Sequence, residues 1–427
     1  MKTSKVLVIG FALFAMFFGA GNMIFPPYLG LTSGAHWTLG FWCFLAADVG
    51  LAMITIAAML RRSSRMTELT RPLGRPMSVA VSAAVVLCLG PLFAMPRTAA
   101  TTYELLVKPF FASGVWKIVF SAVYFALVVA LTISPSKVVD VVGKVLTPLL
   151  LLGLLVLIGF GMFRPLGSVS VSSQLPDVAH EGLLSGYQTM DAFGAMVFAS
   201  VVAAALDEQG FVGRKARTRA AVLACGLSAV CLCAVYGGLT YLGATVSMQY
   251  SAEIDRTLLL IDITQRLMGR PGVLILGVVV ALACLTTAIG LASATGLYFA
   301  ELTKNRLSYK AVVIGSCAVS LFAANLGLDR IISFAAPVLT LLYPVVLVLV
   351  IFSFFDRRLT NANIARGAAL CAFGVSLCNL LSPSLLEMLP LSSFGLGWML
   401  PALLGGAAGA LIRPRGEQAL SHRAAAD

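Results

Sequence analysis

Charge is what this chain has least of. Asp, Glu, Lys and Arg together make up 11% of its 427 residues, where a soluble domain carries about 25%. With 59% of residues hydrophobic and a mean hydropathy of +0.96, too little polar side chain exists to cover a water-soluble globule. That excludes a soluble fold and leaves an all-α, polytopic membrane protein. Histidine is scarce too. His36, His180 and His422 fall in loops or the tail, so no histidine relay is expected. There is no Walker-type phosphate loop, no HExxH pair and no hydrophilic stretch long enough for a soluble catalytic domain, which argues against an enzyme. Cysteine is present but not in a metal pattern. All nine lie in apolar runs, and Cys231 and Cys233 stand too close together for zinc spacing, so they read as small buried hydrophobes.

The net charge of +12 does not imply nucleic acid, because the Lys and Arg are scattered through short loops. A membrane span needs about 20 apolar residues. By that measure about twelve segments stand out, near 5–31, 38–60, 76–105, 115–134, 138–163, 185–209, 216–247, 272–300, 310–328, 331–355, 365–386 and 393–412. The charged start of the chain runs through Gly-Asn-Pro without a small-x-small cleavage site, so the first span is expected to be retained. With the N-terminus inside, 22 of the 30 Lys and Arg fall on the inner side, among them Arg61, Arg62, Arg65, Lys137, Lys144, Arg357 and Arg358. That bias fits the positive-inside rule and puts both termini in the cytoplasm. The outer loop near 249–270 is expected to form a short surface helix.

Two spans are interrupted. In the first, FFGAGNMIFPPYLG, Gly19 and Gly21 flank Ala20, Asn22 follows, and Pro26 and Pro27 each remove a backbone donor. Backbone groups freed at membrane depth are tolerated where they line a cavity. The other reading is a glycine-rich packing face with a proline kink. In the sixth span, SGYQTMDAFGAMVFA, Gly186, Gln188, Thr189 and Asp191 precede a continuous apolar run. An intramembrane carboxylate costs several kcal/mol without a partner or water. Asp191 has a second reading, in the first turn of a helix near the outer interface, where the helix dipole stabilises it. Paired interruptions at positions one and six point to an inverted-repeat transporter. The eighth span adds Thr286, Thr287, Ser293 and Thr295. Such hydroxyls usually bond their own helix, but two of them with loosened carbonyls would also suit a sodium ion.

The stretches FALFAMFFGAGNMIFPPYLG, GPLFAMPRTAATTYE, GYQTMDAFGAMVF, CLTTAIGLASAT and NLGLDRIISFAAPVLTLLYP together resemble the bacterial branched-chain amino acid:cation symporter family, the BrnQ or LIVCS type, through all twelve spans. The resemblance implies a LeuT-like 5+5 inverted repeat with discontinuous helices 1 and 6. Its parts would be a first repeat over 1–163, an inverted second repeat over 180–356, two appended spans over 364–413 and a short disordered tail over 414–427. It implies import of leucine, isoleucine and valine across the bacterial cytoplasmic membrane, driven by Na+ or H+, with no cofactor. Main-chain atoms and side chains of Ala20, Gly21, Asn22, Met23, Gly186, Gln188, Thr189, Met190, Asp191 and Phe193 would hold the substrate. Met23, Met190 and Phe193 would line the pocket for its apolar side chain. Gly19, Asn22, Thr286, Thr287 and Ser293 would hold the cation. The chain departs from the pattern where Ala15 replaces an expected serine and near Leu297, where a polar or acidic residue is expected. If the family's sodium-coordinating pair aligns with Ala292 and Ser293, one hydroxyl ligand is missing. The coupling ion is therefore left open.

Two further intramembrane charges have paired readings. Arg97 either pairs structurally with Glu104, seven residues on, or contacts substrate. Asp48 is either a helix-packing hydrogen bonder or a carrier of a coupling proton. Transport of another small neutral or aromatic amino acid on the same fold is the nearest alternative. A channel would need a polar stripe along several helices, and an enzyme a nucleophile with its base. The sequence offers neither.

Overall fold

The computed structural model describes residues 3–61, 66–111, 113–133, 147–211, 213–355, 361–382, 389–392 and 395–412. Helices dominate them, and no strand occurs among the described residues. The N-terminal half comprises α1 (Thr3–Phe17), α2 (Ala20–Ser33), α3 (Trp37–Leu45), α4 (Leu51–Arg61), α5 (Met66–Thr70), α6 (Arg75–Leu87), α7 (Ala94–Thr102), α8 (Gly114–Ile133) and α9 (Thr147–Phe163). There follow α10 (Val178–Thr189), α11 (Asp191–Glu208), α12 (Arg214–Ala244), α13 (Arg256–Leu302), α14 (Tyr309–Asn325), α15 (Leu328–Phe355), α16 (Ala362–Leu381) and α17 (Met399–Leu411). Seven helical stretches among the described residues are long and apolar enough to cross a bilayer, and four shorter apolar helices accompany them.

Both interruptions are real. The chain leaves the helix at Phe18 and Gly19, whose backbone is extended (φ −115°, ψ −166°), and re-enters it at Ala20 with no side-chain cap. Within α2, Pro26 and Pro27 cannot donate to the carbonyls four residues back, which loosens that turn. The second interruption is a single residue. Met190 sits in the left-handed region (φ 70°, ψ 16°), uncommon for a residue with a side chain, and ends α10 immediately before α11. The sixth span begins earlier than its hydropathy indicates, at Val178, because the Asp177 carboxylate accepts from the amides of Ala179 (2.9 Å) and His180 (3.0 Å). His180 is therefore helical rather than in a loop. The expected surface helix in the 249–270 loop is the first segment of α13, which Asp255 caps and which breaks at Gly269 (φ 69°) before Pro271.

Three π-helical turns re-aim the neighbouring spans: Ala46–Gly50 between α3 and α4, Cys88–Leu92 before α7, and Tyr103–Val107 after it. Each widened turn shifts the side chains that follow it and is often found at functional sites. The first carries Asp48, and the other two bracket Arg97. The expected start of the fifth span at 138, Lys137, Lys144, Arg62, Arg65, Arg357, Arg358 and the 414–427 tail lie outside the described residues. The nine cysteines are free, but the expected burial holds only for Cys88, Cys284 and Cys317; Cys43, Cys225, Cys231, Cys233 and Cys371 are half-buried and Cys378 is exposed.

The broken helices are held by small-residue crossings. Helix α2 packs on α12, where Gly30 meets the Thr240 carbonyl and Gly243 meets that of Pro27. Helix α10 lies against α3, where Gly182 faces Gly40 and Cys43, and α11 lies against α4. Any Cβ at residue 30 would collide with fixed backbone, so Gly30→Leu should lower the thermal unfolding midpoint in detergent, by the equivalent of about 1–3 kcal/mol. An unchanged midpoint would show that the two helices do not meet there.

Candidate functional site

The two breaks face one another. Asn22, in the first turn of α2, donates through Nδ2 to Asp191 Oδ2 (2.8 Å), to Asp48 Oδ2 (3.4 Å) and to the Tyr236 hydroxyl of α12. An amide has two hydrogens, so three acceptors share them. Thr189, the last residue of α10, has its hydroxyl within hydrogen-bond distance of Asp48 Oδ1 (2.7 Å) and the Gly186 carbonyl (2.6 Å), which share its one hydrogen. Asn22, Asp48, Thr189 and Asp191 are all buried. The π-helical turn positions Asp48, and Gly186 makes its approach possible. A Cβ at 186 would lie 2.6 Å from the Ala47 Cβ and 2.9 Å from the Phe44 carbonyl.

Arg97 enters from α7. Its Nη1 donates to the Gln188 carbonyl (2.5 Å) and its Nη2 to the Thr189 carbonyl (2.8 Å), the last two carbonyls of α10. These groups have no intrahelical donor, and the guanidinium supplies one. Gly21 leaves it room, since a Cβ there would stand 2.9 Å from Nη2. The expected pairing of Arg97 with Glu104 does not form. Tyr103–Val107 is a π-helical turn, and Glu104 instead bonds Lys108 one turn on.

A cavity of about 30 Å³ lies between the breaks. Asn22, Arg97, Thr98, Thr189, Asp191 and Thr287 are its polar lining residues, Gly19, Ala20 and Met190 lie at the breaks, and Met16, Phe17, Leu89, Phe198 and Leu291 are among its apolar ones. Of the residues expected at the substrate, the structure thus gathers Ala20, Asn22, Thr189, Met190 and Asp191 on one cavity, with Gly21 behind it against Arg97. It does not bring Met23, Gly186, Gln188 or Phe193 to the cavity wall. Met23 is buried in the core, the Gln188 carbonyl is held by Arg97, and Phe193 stacks on Tyr343 at 4.4 Å. Asp191 does stand in the first turn of a helix, α11, as its second reading had it, but its carboxylate is buried against Asn22 rather than near an interface.

The expected cation set divides in the same way. Gly19, Asn22 and Thr287 line the cavity. Thr286 donates to the Ala283 carbonyl of its own helix (2.8 Å), as does Thr287 (3.1 Å), and Ser293 accepts from Tyr309 (3.2 Å). Leu297, where a polar residue was expected, is 61% exposed on the apolar surface. Sequence reasoning gave Tyr236, Phe198 and Leu291 no place at the site, and gave Asp48 and Arg97 a place in only one of two readings each. For Asp48 and Arg97 the signal was present, because an intramembrane charge is a functional candidate by default.

Two helices broken opposite each other around a small cavity are the arrangement of the LeuT-like fold. Solved structures bear out the fold. Mhp1, a nucleobase-cation-symport-1 family transporter in a closed conformation with bromovinylhydantoin bound, aligns with a TM-score of 0.60 over 95% of this chain and 91% of its own, at 16% identity. A Na+-coupled sialic acid symporter in a substrate-bound outward-open state gives 0.64 over 96% and 90%, at 14% identity. The chain itself belongs to the branched-chain amino acid transport protein family, whose model matches residues 2–415. It is 40% identical to the branched-chain amino acid transport system 2 carrier protein of Pseudomonas aeruginosa, over 94% of both chains. To the branched-chain amino acid permease BrnQ of Bacillus subtilis it is 32% identical, over 96% of this chain and 97% of the relative.

Asn22→Leu removes the donor that links the two breaks and leaves buried acceptors unmatched. The loss should exceed about 1–3 kcal/mol in thermal stability, because both named carboxyl groups lose a partner. A variant as stable as the parent in detergent melts would show that this amide carries no such link.

Proposed function

We propose that the protein imports leucine, isoleucine and valine by symport with Na+, or with H+, through alternating access at the cavity between the breaks. One observation carries the reading: an uncapped helix N-terminus and a buried carboxylate share a cavity whose other lining residues are largely apolar. Free amides at the start of α2 suit the carboxylate of an amino acid, and Asp191 suits its ammonium. Met16, Phe17, Leu89, Phe198 and Leu291 offer an aliphatic side chain a dry surface. The cavity volume is about that of one water, so the substrate enters only when these walls part. Such parting is what rocking of one bundle against the other provides.

Charge counting leaves the ion open. With both acids ionised, Asp48, Asp191 and Arg97 together carry one net negative charge, which a single monovalent cation would balance, with Gly19, Asn22 and Thr287 as the cavity residues facing it. With one proton held between the two acids the site is already neutral, and that proton is itself the coupling ion. We further propose twelve spans in two five-span repeats, 1–163 and 180–356, followed by two appended spans over 364–413 and the 414–427 tail. The inner side would be the bacterial cytoplasm, where most Lys and Arg fall.

Counterflow of labelled leucine, isoleucine and valine in proteoliposomes tests this. Saturable uptake of all three, accelerated by an inward sodium gradient, is the expected result. Uptake that follows a pH gradient in sodium-free buffer would replace sodium by a proton, and indifference to all three amino acids would remove the substrate assignment. Asp191→Asn should reduce leucine uptake on the order of 100-fold, the scale of one charge-assisted hydrogen bond. Unchanged uptake at every pH would make Asp191 a structural residue only.

A further inference from the structure

We infer that Arg97 is the receptor for the substrate's carboxylate, a role that rests on the proposed amino acid transport and sharpens it. The guanidinium is 5% exposed and lies on the cavity wall. Its two hydrogen bonds both go to carbonyls, those of Gln188 and Thr189, and Nε is buried without a partner. Asp191 and Asp48 act on it only through space, so this buried cation has no hydrogen-bonded counter-ion, and a ligand's anion would supply one.

The acids near it are engaged elsewhere. Asp191 is held by Asn22, and Asp48 by Thr189 and Asn22. Beside the guanidinium, at Gly21, lie the first amides of α2, whose N-terminus has no side-chain cap. Two positive ends, one a side chain and one a helix dipole, thus converge on the same side of the cavity. A ligand with a carboxylate satisfies both. Asp191, which also lines the cavity, takes the ammonium, so the two charged groups of an α-amino acid have separate partners there. The carbonyl bonds have a consequence of their own. They fix the guanidinium in place before the substrate binds, so little rotamer entropy is lost on capture.

Competition against labelled leucine on the purified, detergent-solubilised protein separates this role from a structural clamp. The competitors are L-leucine and L-leucinamide, which keeps the side chain and ammonium but lacks the carboxylate. In the parent protein leucine should compete about 100-fold better than leucinamide. In Arg97→Gln the affinity for leucine should fall about 100-fold while that for leucinamide stays within about threefold, so discrimination collapses. If the residue only clamps α10, both affinities fall together and the ratio holds, which overturns the inference. Arg97→Lys keeps the charge without the fork and should give an intermediate ratio. It decides the matter if Arg97→Gln does not yield folded protein, since an unchanged ratio in the lysine variant also overturns the inference. A parent protein that binds leucine but does not prefer it over leucinamide overturns it without touching the transport reading. One that binds no branched-chain amino acid at all overturns both.

Discussion

Two carboxylates buried together in a membrane protein must be kept from repelling one another, and the side chain that does so is the amide of Asn22. Asp48 and Asp191 approach the same nitrogen at 3.4 and 2.8 Å, which puts the two oxygens within about 6 Å of each other. If both are ionised, their repulsion at that distance is about 3 kcal/mol for an effective dielectric of 20. One amide reaching both, with the Thr189 hydroxyl on Asp48 and Arg97 nearby, offsets it. The spans that contribute these groups are thereby fixed relative to each other: the first through Asn22, the second through Asp48, and the sixth through Thr189 and Asp191. Tyr236 ties the seventh to the same amide.

The broken backbone follows from the same need. A continuous first helix would spend its amides and carbonyls internally and offer the cavity side chains alone. The extended Gly19 exposes the start of α2, and the left-handed Met190 exposes the end of α10. The second end is then capped by Arg97, and the first is left uncapped. That asymmetry gives the cavity a polarity. The close helix crossings at Gly30, Gly186 and Gly243 let the partner spans approach near enough to support it.

Much of this was legible in the residues. Glycines around Ala20 and paired prolines weaken a helix whatever surrounds them, so the first break could be read directly. An inverted-repeat transporter followed from two interruptions at corresponding positions, and the LeuT-like form of it from the family resemblance. The second break was legible through Asp191 and Thr189, but not at its turning point, because Met190 adopts a left-handed backbone that its side chain gives no reason to expect. Pocket side chains were less legible. Phe193 and Met23 face the core, while Phe198 lies on the cavity a helical turn or more away, and hydropathy does not distinguish those directions. Of the two readings of Arg97, the pairing with Glu104 fails for a geometric reason. Its spacing to Glu104 assumes an unbroken helical face, and the π-helical turn at Tyr103–Val107 disrupts it. The threonines of the eighth span bond their own helix, the usual outcome for hydroxyls in apolar helices.

A double-mutant cycle between Asn22→Leu and Asp191→Asn, read by thermal unfolding in detergent, most directly tests whether the two breaks are physically joined. Residues in direct hydrogen-bonded contact couple by about 0.5–3 kcal/mol, whereas distant ones add within about 0.5 kcal/mol. Coupling of at least about 1 kcal/mol is expected here. Strict additivity would mean that the broken ends do not meet, and the site would lose the contact that organises it.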